Sequence, residues 1–223
     1  MDEFPRGRVL DMPCGPGGLT LRLLELGFDV DACDIHPENF AIAGRTAHRG
    51  NLAQRFPYPD AHFDHAVFVE GPEHVVNPLN AFREFARVLK LGGRLVVTLP
   101  NYTNITRRLH FLLNGSHEAV FSGAELREKE DLHISPMTFA QIYQLFELVG
   151  LRLIGVHRDK IKHRQLFLLP LAGVIMAISQ FRKRGRSKYM LEIGNSFNVL
   201  LGGNTLILVA EKTETATGLR YHS

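Results

Sequence analysis

Glu70, Glu73 and His74 are spaced as E-x-x-E-H. On a helical turn, positions i, i+3 and i+4 share one face. Two carboxylates and an imidazole on one face can hold a divalent cation such as Mg²⁺, Mn²⁺ or Zn²⁺, or move a proton for a reacting group. His133, in Asp131-Leu132-His133-Ile134, is far along the chain and is a candidate to return as a further ligand or as a base. A plainer alternative stays open: Glu73-His74 caps a turn and packs, while Gly71-Pro72 separates Glu70 from Glu73. Tyr102 and His110 have less distinctive spacing, and lone aromatics and histidines mostly pack or face solvent.

A second constellation lies upstream. Asp11-Met12-Pro13-Cys14-Gly15-Pro16-Gly17 follows an apolar run and opens a helical pattern. Glycines there let the backbone approach a ligand, and a helix N-terminus offers free N–H groups. Asp34 stands 19 residues beyond Gly15, where a carboxylate would accept hydrogen bonds from a ribose diol. The pattern therefore points to an adenosine-type ligand. A nicotinamide dinucleotide fits poorly, because the third glycine of that fingerprint is Thr20 here. A carboxylate at Asp11 would repel a pyrophosphate but suits a cationic amine.

The elements that must position these residues alternate. Arg8–Met12 reads as a strand, Leu19–Leu26 as a helix ending at Gly27, Phe28–Cys33 as a strand and Pro37–Thr46 as a second helix. Phe63–Glu70 reads as a strand. Asn80–Leu89 is an amphipathic helix stopped by Gly92-Gly93, and Arg94–Leu99 is a strand. Residues 103–132 read as a polar insertion over the site. Ser135–Val149 reads as a helix, and Leu151–Val156 and Asn204–Lys212 as final strands. Such alternation implies a doubly wound sheet with ligands beyond the carboxyl ends of its strands.

Along residues 8–156 the chain resembles the class I S-adenosylmethionine (SAM)-dependent methyltransferases. Val9–Gly17 is similar to their first motif, Asp34-Ile35 to the ribose-binding strand end, and Gly50-Asn51-Leu52 to the adenine-side loop. Glu73-His74-Val75 and Arg87–Gly93 are similar to the segments before the fifth strand. The resemblance implies a Rossmann-like α/β fold: a doubly wound, mostly parallel seven-stranded sheet with a C-terminal antiparallel strand and a helical cap. It implies that Asp11, Gly15 and Gly17 cradle the methionine end, with Pro13 also among the cofactor-binding residues. Asp34 and Ile35 would face ribose and adenine, Asn51 and Leu52 the adenine, and Glu70 the reacting methyl. Glu70, His74 and His133 would serve catalysis. Two positions depart from the pattern: Pro13 replaces the usual first glycine, and Asn51 an acidic residue. The E-x-x-E-H pattern also resembles, locally, the divalent-metal-dependent ubiquinone-pathway O-methyltransferases and small-RNA 2′-O-methyltransferases. A metal on Glu70, Glu73 and His74 is implied in the same way.

Composition bounds the rest. The 223 residues, 45% of them hydrophobic, suit a single domain over 1–223. The two cysteines cannot form a disulfide framework, and with no signal pattern at the N-terminus they point to a reducing, cytoplasmic setting. Residues 157–188 carry nine cations and only Asp159 as an acid. Between the basic clusters lies the apolar run Leu166–Ile178, too short to span a bilayer. This segment, within a cap over 157–203, reads as an ordinary core helix with a solvated face, a lid, a dimer interface or a membrane-surface helix. The favoured function is O-methylation of a small-molecule, lipid-like or lipid-linked acceptor. RNA methylation is disfavoured, since no base-stacking interleaving of aromatic and basic residues is present. A non-catalytic SAM-binding protein is the third reading, and the oligomeric state is left open.

Overall fold

The computed structural model describes residues 1, 3–117, 132–181 and 192–213. Much of the predicted insertion (118–131) and the second basic cluster (182–188) lie outside the described residues.

Seven strands form one sheet: β1 (Arg8–Asp11), β2 (Asp29–Asp34), β3 (His48–Arg49), β4 (Phe63–Val69), β5 (Leu89–Pro100), β6 (Leu151–Arg158) and β7 (Thr205–Lys212), in the order β3-β2-β1-β4-β5-β7-β6. β1 through β5 pair in parallel, and β7 inserts antiparallel between β5 and β6. This is the Rossmann-like, mostly parallel sheet with one antiparallel C-terminal strand that the sequence predicts. β1, inside the sheet between β2 and β4, buries Val9, Leu10 and Asp11. Its continuous burial reflects cover on both faces, as expected of a parallel strand.

The helices supply that cover. α1 (Gly18–Glu25) buries Leu23 against Val9, Val30 and Val67. α2 (Pro78–Val88) begins at Asn77, whose side chain accepts from the Asn80 N–H, with Pro78 in the first turn. Its Phe82 and Phe85 are fully buried against Phe68. α4 (Phe139–Leu148) starts with a reciprocal Thr138–Gln141 capping box, and its Phe146 meets Phe82 edge-on. Between them lies α3 (Ile105–Asn114), capped by Asn104 and closed by Gly115. α5 (Leu169–Phe181) and the short α6 (Phe197–Leu200) lie between β6 and β7 in the chain.

Two expectations fail. The predicted helix over 37–46 is only a 3-10 turn, Pro37–Asn39. Phe40 is extended, and Phe40 and Ile42, two residues apart, pack at Gly17 instead of following a helical period. α2 also ends before Gly92-Gly93: Leu89 is already extended and pairs with Phe63 as the start of β5. The Lys212 ammonium donates to the Leu89 carbonyl at 2.7 Å, so the helix end is satisfied by β7.

Candidate active site

The carboxyl ends of β1, β2 and β4 open onto a cleft of about 460 Å³ lined by Met12, Pro13, Asp34, Ile35, Gly50, Asn51, Leu52, Glu70 and His74, among others. Asp34 ends β2. Its Oδ2 accepts from the Gly15 N–H and its Oδ1 from the His36 N–H, both at 2.9 Å. These bonds fix the carboxylate while leaving each oxygen a second lone pair. Ile35, next in the chain, is 46% exposed and offers the cleft an apolar face. Leu52 is also in the lining, and the Asn51 Oδ1 is taken by the Ala53 N–H of its own loop at 2.8 Å.

Asp11, Gly15 and Gly17 do not line this cleft. Asp11 is 1% exposed and accepts from the Thr20 hydroxyl at the start of α1. Burial pushes its pKa up to about 6, against the lowering effect of Thr20. Thr20, where a nicotinamide fingerprint would have glycine, is thus tied to the acid that precedes the loop. Gly17 has φ of 97°, and a Cβ there would lie within 2.9 Å of Phe40 and Ile42; both its conformation and its surroundings require glycine.

A second, more polar pocket of about 340 Å³ adjoins the first. It is lined by Glu70, Glu73, His74, Pro100, Asn101, Asn104, Arg107, His133, Asn204 and Thr205. Glu70 and His74 line both pockets. Glu70 sits at the tip of β4 with φ of 47°, a left-handed conformation costly for a non-glycine residue, and its N–H donates to Thr98 Oγ1 at 3.0 Å. The chain then turns through a 3-10 segment, Pro72–His74. At Gly71 a Cβ would clash with the Phe68 ring and fall 3.1 Å from Pro13, so the turn presses close to the first loop.

Glu73, His74 and His133 come together, each offering a ligand atom within 4.8 Å of the others. Glu70 lines the same pocket but is not in that cluster. The His74 Nδ1–H donates to the Leu132 carbonyl at 3.0 Å, which turns Nε2 into the lone-pair nitrogen of the neutral ring. Tyr102 Oη and His133 Nδ1 share a 2.8 Å hydrogen bond. Glu73 is 2% exposed, and its Oε2 is buried without a hydrogen bond. Burial raises its pKa, against the lowering effect of His74 and His133. An unpaired buried carboxylate oxygen beside two imidazoles is a donor set that suits a divalent cation.

Sequence reasoning did not anticipate Asn104 and Arg107 in this pocket. Both sit at the start of α3, inside a segment read only as polar cover. An asparagine just before Ile105, as an N-cap residue, was the available signal for the helix start.

Residues 10–97 match the family described as a methyltransferase domain. An uncharacterized methyltransferase of Mycobacterium tuberculosis is 44% identical over 92 residues, 40% of this chain and 37% of that protein. A ubiquinone biosynthesis O-methyltransferase of Xanthomonas campestris is 34% identical over 112 residues, 45% of this chain and 46% of that protein. The chain thus spans less than half the length of these curated relatives. A Thermotoga maritima SAM-dependent methyltransferase, described as a possible histamine N-methyltransferase, shares the fold with a TM-score of 0.58 at 16% identity, covering 94% of this chain and 84% of its own. Loop, sheet order and domain match agree: residues 10–97 are similar to the methyltransferase domain family, and the chain shares the Rossmann-like fold of a SAM-dependent methyltransferase.

Proposed function

We propose that this chain transfers the methyl group of SAM to an oxygen of a small hydroxylated acceptor. The observation that carries this reading is that the two pockets meet at Glu70 and His74. SAM in the first pocket, with its ribose on Asp34 and its adenine between Ile35 and Leu52, presents its methyl to the second. Asp11 acts from behind the loop as the negative charge that favours the methionine ammonium.

Methyl transfer is an in-line displacement. The acceptor oxygen attacks the methyl carbon, the carbon–sulfur bond breaks with its electron pair on sulfur, and S-adenosylhomocysteine leaves. The protein's task is to hold oxygen, carbon and sulfur aligned at about 3–3.5 Å and to take the acceptor's proton. His133, steadied by Tyr102, is the base. Arg107, in the same pocket, favours an acceptor that carries negative charge near its hydroxyl. With a divalent cation bound, Glu73, His74 and His133 would hold it, and it would take over the base's task as a Lewis acid that lowers the hydroxyl's pKa, His133 then being a ligand and not the base.

The acceptor class is a hydroxylated head group on a lipid-like body. The polar second pocket supports the first half. The name of the ubiquinone-pathway relative and the apolar surface of α5 support the second.

The test is transfer of labelled methyl from SAM to a panel of hydroxylated acceptors, with and without chelator. Oxygen-methylated product that falls at least about a hundredfold in His133→Ala, with SAM affinity kept, supports the reading. Product methylated on nitrogen or carbon, or a His133→Ala variant as active as wild type, overturns it.

A further inference from the structure

α5 departs from the rule that a surface helix turns its polar face outward. Its buried stripe, continued from the preceding turn, is Leu168, Ala172, Ile175 and Ser179, at the 4-3-4 spacing of a single helical seam. The outward face is apolar as well. Leu169, Leu171, Val174, Met176 and Ile178 are 37% to 54% exposed, and Phe167, just before the helix, is 76% exposed. Gln180 is the one exposed polar side chain described on α5. A helix that is apolar all round needs a second apolar phase on its outer side. At 13 residues it is about 20 Å long, too short to cross a bilayer core of about 30 Å.

The charge of the flanking sequence identifies that phase. Lys160 and Lys162 precede the helix, and the sequence after Phe181 continues Arg182-Lys183-Arg184-Gly185-Arg186-Ser187-Lys188, with five cations and no acid in seven residues. An apolar face between cations matches an anionic bilayer surface, where side chains enter the acyl boundary and cations meet the headgroups. A second copy would carry the same flanking cations, so the two sequences would bring like charge together.

The helix is also joined to the wall of the second pocket. Ile105 packs with Ala172, Leu200 and Leu201, and Gln165 donates to Thr106. Asn104 and Arg107, on that same turn of α3, line the pocket.

We propose that the outward face of α5 docks on an anionic phospholipid surface and holds the acceptor pocket beside the membrane. The docking stands independently of the methyl-transfer reading; its consequence for acceptor supply rests on it.

The chain has no tryptophan, so Met176→Trp places a single reporter on the outward face. With full-length protein, the expected result is sedimentation with phosphatidylcholine–phosphatidylglycerol vesicles but not with phosphatidylcholine alone. Binding falls in high salt, and the indole emission of the Met176→Trp variant shifts to the blue on the anionic vesicles. Val174→Glu with Ile178→Glu lowers the partition coefficient at least about tenfold while SAM affinity stays unchanged. Equal binding to both vesicle types, unshifted emission or full binding by the double variant overturns the proposal. A concentration-dependent dimer abolished by the double variant, without vesicle binding, also overturns it and assigns the face to a second copy. A loss of SAM binding in wild type would instead overturn the methyltransferase reading and leave the vesicle result standing.

Discussion

Replacing Asp34 by alanine isolates what the first pocket recognises. The carboxylate already accepts two backbone N–H bonds of 2.9 Å, from Gly15 and His36, and each oxygen retains a lone pair for a ribose hydroxyl. Hydrogen bonds to a charged group contribute about 1.5–3 kcal/mol each. Losing two ribose bonds therefore weakens binding by at least about 3 kcal/mol, or roughly a hundredfold in Kd. The two backbone donors lose their acceptor too, but water can reach them at the loop. The stability cost is about 1–2 kcal/mol, a fall in Tm of about 2–8 °C for a domain of this size. Calorimetric titration with SAM, beside a thermal melt, separates the two effects. Asp31→Ala is the control: on the same strand, Asp31 pairs with Arg8 at 2.8 Å and does not line the cleft. It should cost stability without affinity. A folded Asp34→Ala protein that binds SAM within about threefold of wild type would refute the assignment.

Other predictions follow from the same geometry. Asp11, with a pKa of about 6 in the fold against 3.8 ordinarily, binds more protons folded than unfolded between those values. Its contribution to stability therefore falls as pH rises from about 4 to 6, by up to about 3 kcal/mol. Urea unfolding across that range should show this component in wild type and lose it in Asp11→Asn; an identical slope in the variant would contradict it. SAM affinity should move the opposite way, weakening as pH falls below about 6, because the ammonium needs the ionised carboxylate. Glu70→Gly should relieve the left-handed strain by about 1 kcal/mol and raise Tm by about 2–4 °C while lowering turnover. A lower Tm would show that Glu70 is not strained. Tyr102→Phe should lower kcat about tenfold and move the acidic limb of its pH profile, leaving the KM for SAM unchanged. An unchanged profile would assign Tyr102 to packing alone.

Much of the architecture is legible because it is written locally. Alternating apolar strands and the Phe82/Phe85 helix announce a doubly wound sheet, and Asp34 at its distance from Gly15 marks the first pocket. The failures have physical causes. Phe40 and Ile42 look helical by composition, yet their side chains pack at Gly17 of the glycine loop. Gly92-Gly93 looks like a helix stop, but the extended Leu89 pairs with Phe63 ahead of it, a tertiary event that no local signal carries. The second pocket is half legible. Glu73, His74 and His133 share a suggestive chemistry, but their convergence depends on Leu132 returning to His74 across 58 residues. Helical spacing groups Glu70 with them. The turn after β4 is 3-10 and begins from a left-handed residue, so that spacing does not apply.

The most direct test of the central claim is a crystal structure of the protein with S-adenosylhomocysteine. In that structure the ribose hydroxyls should lie on Asp34, the adenine against Ile35 and Leu52, and the sulfur should turn toward Glu70 and His74, where the two pockets meet. An empty cleft at saturating ligand, or a sulfur facing away from the second pocket, would contradict it.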